Sequence, residues 1–133
     1  MHKILPLLLL SMAAATPGMV MSGAPPELVG DWSIESIGQT PALEGTEAIL
    51  VFTEDGTMSA NVGCNQAGGS YRLDDSGLEI GPLAATRKMC EQEVMGQEDA
   101  FFAAMGQVSE YRADGDVLQL LDVSGNILIT ARR

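Results

Sequence analysis

The chain has two cysteines, Cys64 and Cys90, and no others. Whether they tie the fold together depends on where the protein matures. Two cysteines in a small domain pair in an oxidising compartment and stay reduced in the cytosol. The N-terminal residues point to export. Met1-His2-Lys3 is a short positive stretch, residues 4–12 form an apolar run, and Ala13-Ala14-Ala15-Thr16 supplies small residues. That order is the order of a signal peptide. The apolar run is too short to span a bilayer permanently, which disfavours the alternative reading of an N-terminal anchor. Cleavage is expected after Ala15, or as late as Ala24. No cysteine follows the apolar run, so a bacterial lipid attachment has no acceptor there. The expected location is periplasmic or secreted. Cys64 and Cys90 then close a loop of about 27 residues, and chain entropy alone gives roughly 3–4 kcal/mol. No C-x-x-C spacing supports a redox pair, although Arg87 and Lys88 lie close enough to Cys90 to favour its thiolate. Two sulfurs without a nearby histidine make an incomplete zinc site.

The 133 residues suit one domain. Cleavage after Ala15 leaves 118 residues and cleavage after Ala24 leaves 109, enough for a single core but few enough for a covalent tie to matter. Residues 16–27 hold Pro17, Gly18, Gly23, Pro25 and Pro26 and read as a flexible lead-in. The folded domain is expected over 28–133, as a monomer. The formal charge is −11, and Lys3 leaves with the signal segment. Nucleic acid is a poor partner for such a surface, because each phosphate contact needs a Lys or Arg.

From residue 28 onward, short β-like runs alternate with turns. Residues 28–37 place Leu28, Gly30, Trp32, Ile34 and Ser36 on one side. Residues 47–53 form the next run. Glu54-Asp55-Gly56 is a tight turn, and 57–62 return with Met58, Ala60 and Val62 alternating. Gly63-Cys64-Asn65-Gln66-Ala67-Gly68-Gly69 breaks the pattern. Strands resume at 70–73 and 78–80, separated by the turn Asp74-Asp75-Ser76-Gly77. Residues 91–105 differ: Val94, Phe101 and Met105 recur at helical intervals, with Phe102 beside them, and Gly106 is the expected stop. Strands return at 109–112, 117–121 and 127–130. The fold class is mainly β with one amphipathic helix, an antiparallel sheet curling around or against it.

The ordered set Gly63-Cys64-Asn65, Gly69-Ser70-Tyr71 and Thr86-Arg87-Lys88-Met89-Cys90 resembles the META domain family, which includes HslJ-like heat-shock proteins. So do the opening Leu28-Val29-Gly30-Asp31-Trp32, the Phe52 to Gly56 hairpin, Glu98 with Phe101, and Tyr111 followed by Leu118 and Leu120. The resemblance covers about residues 28–131. It implies a small, partly open β-barrel-like fold with one helix, an envelope or secreted location, and in some members a link to stress response. It brings no catalytic residues.

The central motif has two readings. One is a stapled turn, in which Gly63 lets the backbone turn, Cys64 anchors it, and Asn65 bonds neighbouring backbone. The other is a recognition loop of Gly63, Asn65, Gly68, Gly69 and Arg87, held rigid by the bridge, with the two glycines leaving room for another strand or a ligand. No catalytic, cofactor or metal residue is assigned. The only histidine is His2, so the mature domain has no imidazole for general-base work. Glu91, Glu93, Glu98 and Asp99 read by charge pattern as a solvated helix face, whereas the family resemblance puts Glu98 with Phe101 at the start of a buried face. Asp74-Asp75 and Asp114-Gly115-Asp116 lack a full calcium loop. Met58, Met89, Met95 and Met105 sit among core-like positions.

The expected function is a non-enzymatic envelope module that binds another envelope protein or a small apolar ligand, the latter in a cleft between sheet and helix. A thiol-disulfide protein using Cys64 and Cys90, or an inhibitor of a secreted protease, are the alternatives.

Overall fold

The computed structural model describes residues 25–74 and 77–133. The signal segment expected over 1–15, the expected lead-in as far as residue 24, and Asp75 and Ser76 of the expected turn lie outside the described residues. Ten strands and one helix follow in the order β1 (Gly30–Ile37), β2 (Thr40–Pro41), β3 (Ile49–Phe52), β4 (Thr57–Asn61), β5 (Gln66–Leu73), β6 (Leu78–Ile80), β7 (Ala84–Ala85), α1 (Gln92–Met105), β8 (Glu110–Asp114), β9 (Val117–Leu121) and β10 (Ile127–Arg132). All pairings are antiparallel, in the spatial order β6-β5-β4-β3-β1-β10-β9-β8, with β2 added to β1 and β7 to β5. The two ends of this path meet where the Leu78 amide donates to the Ser109 carbonyl at 3.0 Å. The sheet is therefore a nearly closed barrel.

Period-two alternation builds the interior. Trp32 and Ile34 from β1, Leu50 and Phe52 from β3, Met58 and Ala60 from β4, and Leu118 and Leu120 from β9 point inward and are buried. The phase does not hold along all of β1. Its register with β10 slips between Ile34 and Ser36, so Ile37 takes the inward place that strict alternation gives to Ser36. A bulge of this kind bends the strand, and it lies where β1 passes from pairing with β3 to pairing with β2.

The helix keeps the expected spacing. Phe101, Ala104 and Met105 are buried along one side, and α1 packs on β1 and β10. Gly106 ends it without entering left-handed space (φ −70°, ψ −12°). No helix among the described residues is long and apolar enough to cross a membrane.

Pro25–Leu28 is a turn in which the Leu28 and Val29 amides share the Pro25 carbonyl at 3.0 and 3.2 Å. Arg133 holds it from the far end of the sequence. Its guanidinium donates to the carbonyls of Val29 (2.8 Å), Glu27 (2.8 Å) and Pro26 (3.3 Å) and lies 4.2 Å from the centroid of the buried Trp32 ring. The indole N–H in turn donates to the Leu28 carbonyl at 2.8 Å. Hydrogen bonds from a charged donor contribute about 1.5–3 kcal/mol. Arg133→Ala should therefore lower unfolding stability by about 2 kcal/mol in urea titrations, and Arg133→Lys should recover only part of the loss, since an ammonium cannot make the forked contact.

Two hairpins carry carboxylates that titrate low. Asp55 accepts from the Thr53 hydroxyl, the Thr57 hydroxyl (2.8 Å) and the Thr57 amide (3.1 Å). Asp122 accepts from the Asn126 side chain (3.1 Å) and the amides of Asn126 (2.8 Å) and Ser124 (2.9 Å). These bonds favour the ionised form, and both carboxyls fall below their ordinary value of 3.8, Asp55 chiefly through Thr53 and Asp122 chiefly through Asn126. A lowered folded value means that the unfolded chain binds protons first. The contribution is complete above the ordinary carboxylate value and disappears as pH falls through the folded ones. NMR titration should show both carboxyls protonating later than free aspartate, and Asp55→Asn with Asp122→Asn should flatten the acid limb of the stability curve.

Candidate functional site

Past β4 the chain makes a short, heavily anchored turn. The Asn61 side chain accepts from the Gly63 amide at 2.9 Å. Gly63 has φ +119°, and a Cβ there would come within 3.0 Å of both Thr46 and Val94, so the position requires glycine. The Val62 carbonyl accepts from the Gln97 side chain at 2.8 Å, and Gln97 also accepts from the Leu43 amide at 2.7 Å. The turn, α1 and the segment before β3 are thus tied at one end of the barrel.

Cys64 and Cys90 are bonded to each other, with Cα atoms 6.1 Å apart. Cys64 is buried, while Cys90 is exposed. Asn65 is buried and turned inward, with all its side-chain capacity in use. Its carbonyl oxygen accepts from the Lys88 amide (2.7 Å) and the Thr86 hydroxyl (2.8 Å). Its NH2 donates to the Lys88 carbonyl (3.1 Å) and to Glu98 Oε2 (2.7 Å). Its backbone amide donates to Glu98 Oε1 at 2.9 Å. One side chain thereby joins the β4–β5 turn, the 86–90 loop and α1.

Glu98 corrects the reading of the helix carboxylates as a solvated face. It retains only 4 % of its exposure, while Glu91, Glu93 and Asp99 are exposed. The face implied by the family resemblance is the one observed. A buried carboxylate is costly unless hydrogen-bonded, and Asn65 supplies the two donors that make Glu98 tolerable. Sequence reasoning also missed Thr86 as a partner of Asn65. The signal for Glu98 was its position three residues before Phe101, which puts both on one helix face.

Gly68 and Gly69 do not belong to a loop. Both lie within β5 and pair with β4 on one edge, and Gly68 also pairs with Ala84 of β7 on the other. A Cβ on Gly69 would stand 2.7 Å from the Pro82 carbonyl oxygen and 2.9 Å from Leu83. The room that glycine leaves is filled by the chain itself. A Cβ on Gly68 would make only ordinary contact with Met58. Of the five residues considered for recognition, the structure brings Gly63 and Asn65 together in the turn, keeps Gly68 and Gly69 in the sheet, and exposes Arg87 on the pinned loop.

Met58 and Met105 are core residues at 2 % exposure, but Met89 is not: it is 85 % exposed. Met89 and Arg87 project beside a shallow groove of about 370 Å³ between the loop and α1, whose walls include Leu83, Met95 and Phe102 and whose floor is Asn65 and Glu98. A larger depression of about 570 Å³ lies over the outer face of β3 and β4, among Thr46, Ile49, Val51, Ser59 and Asn61. It is the more polar of the two, with walls shared between β3, β4 and the irregular 45–47 segment. The groove beside α1 is the better candidate, because it combines apolar walls with a rigid rim of charged side chains.

A model of the META domain matches residues 26–133. The chain belongs to the META domain family. No curated protein matches this META domain chain significantly in sequence. Solved structures share its fold. A protein from Burkholderia xenovorans is similar with TM-score 0.64 and 21 % identity, over 89 % of this chain and 94 % of that one. A DUF4847 family protein from Bacteroides vulgatus is similar with TM-score 0.60 and 16 % identity, over 80 % and 94 %. A further solved protein gives TM-score 0.65 and 19 % identity, over 82 % and 94 %.

Replacing Asn65 or Glu98 by alanine should each destabilise the META domain by about 2–4 kcal/mol, because either change leaves buried partners unsatisfied. The Asn65→Ala/Glu98→Ala double variant should cost less than the sum of the two, with a coupling of about 1–3 kcal/mol in a denaturation cycle. Strict additivity would remove the network as the basis of the turn.

Proposed function

We propose that this META domain protein is an exported, non-enzymatic binding module that docks a partner in the envelope through the rim formed by the 86–90 loop and α1. The observation that carries this reading is the exposed Met89 on a loop held at both ends. Asn65 grips the loop at Thr86 and Lys88, and the disulfide grips it at Cys90. A large apolar side chain exposed on a rigid loop beside apolar walls loses little entropy on binding. The inward-facing strand residues, among them Trp32, Leu50, Leu118 and Leu120, have no exposure left. This favours a surface partner over a small apolar ligand held inside the barrel. The N-terminal signal-like segment and the bonded cysteines support an oxidising compartment, and the family resemblance supports a link to stress response.

The exposure of Cys90 favours one competing reading, a thiol-disulfide role. A reduction potential below about −300 mV would leave the bridge structural, and one near those of disulfide oxidoreductases would favour exchange chemistry. The binding reading is tested with a photo-crosslinking residue at position 89 in the producing cell, and at position 123 as a control, since Val123 is equally exposed. Position 89 should give a defined adduct and position 123 none. Equal adducts at both positions, or none at 89, would sink the proposal.

A further inference from the structure

The chemistry of the partner follows from how the cationic side chains are used. Arg72 pairs with Glu79, and Arg132 pairs with Glu35 at 2.8 Å. Arg112 donates to the Gln119 side chain at 3.3 Å. Arg133 is consumed by the Pro25–Leu28 turn and the Trp32 ring. Arg87 and Lys88 remain: among the described residues they are the two cations whose side chains make neither an ion pair nor a hydrogen bond. They are adjacent, exposed, and part of the wall of the groove that Leu83, Met95 and Phe102 make apolar. The chain as a whole carries −11, so two neighbouring cations without a paired carboxylate stand out. Solvated ion pairs elsewhere contribute little to stability, and nothing in the fold requires two free cations at the edge of an apolar groove.

We infer that the groove takes an acidic peptide segment in which a bulky apolar side chain is flanked by Asp or Glu. This rests on the binding reading above and specifies its partner. The apolar side chain enters between Leu83 and Phe102, where the thioethers of Met89 and Met95 adapt to its shape. The flanking carboxylates meet Arg87, whose planar fork suits bidentate contact, and Lys88, which adds a point charge. Glu91 at the N-cap of α1 and Glu93 in its first turn are exposed and repel carboxylates from the helix side, which sets the direction in which the peptide lies.

The test uses fluorescence polarisation of the mature, disulfide-bonded protein with three labelled peptides of equal length. Each has a central Leu-Phe pair, flanked by Asp and Glu in one, by Ser and Asn in the second and by Lys and Arg in the third. The acidic peptide should bind at least tenfold more tightly than the neutral one, and the basic one should not bind. Arg87→Glu/Lys88→Glu should weaken the acidic peptide at least tenfold, as should raising the salt to about 0.5 M, where screening acts within a few ångströms. Met89→Ser should weaken it regardless of salt, and Arg112→Glu should leave it unchanged. Neither Arg87 nor Lys88 supports the fold through its side chain, so the double variant should melt as the parent does. Binding of the neutral or basic peptide as tightly as the acidic one, or no effect of the double reversal, would overturn the inference and leave the binding reading standing. Failure of all three peptides would overturn both.

Discussion

A single amide side chain holds together the corner of the barrel where the β4–β5 turn, the 86–90 loop and α1 meet. Asn65 uses its oxygen on the 86–88 segment and its nitrogen on both that segment and Glu98, while its own amide occupies the second carboxylate oxygen. No other residue type would serve. An aspartate would lose the NH2 that donates to both the Lys88 carbonyl and Glu98, and a glutamine is longer by a methylene. The disulfide one residue earlier makes the same join covalently. The two ties act on different states. The bridge restricts the unfolded chain, whereas the amide network fixes the geometry of the folded one.

The barrel is simpler in its physics. Alternating apolar residues fill the inside, and an aromatic pair packs among them. Phe52 and Tyr71 meet edge to face with centroids 5.0 Å apart, and the Tyr71 hydroxyl donates to the Thr53 carbonyl. Burial raises the Tyr71 hydroxyl above its ordinary value, so the donor stays protonated. The polar tip is satisfied while the ring contributes to the core.

Much of this was legible in the residues. The β runs, the hairpin turns, a helix read over 91–105 and the family frame follow from periodicity, turn chemistry and motif order, and the pairing of the cysteines from the compartment that the N-terminal segment suggested. What was not legible has physical reasons. The two-residue strands β2 and β7 carry no period to detect. The bulge between Ile34 and Ser36 shifts the phase of β1 without any marker in the local sequence. Gly68 and Gly69 read as loop because glycine weakens a strand, yet Gly69 is there because Pro82 and Leu83 press against it. Glu98 sat among carboxylates that do face water, and only a partner thirty-three residues away shows why it does not. Met89 looked like core by its chemistry alone. The exposed rim is therefore the part the sequence described least well, since exposure depends on which neighbours happen to cover a side chain.

The placement of β10 has a kinetic corollary. It lies between β1 and β9, so the middle of the sheet is assembled from opposite ends of the sequence. Until β10 is available, β1 has one unpaired edge and the barrel stays open with Trp32 uncovered. Contacts so distant along the chain are slow to form. A polypeptide emerging from the ribosome keeps this seam open until its last strand has been made, so the barrel closes late.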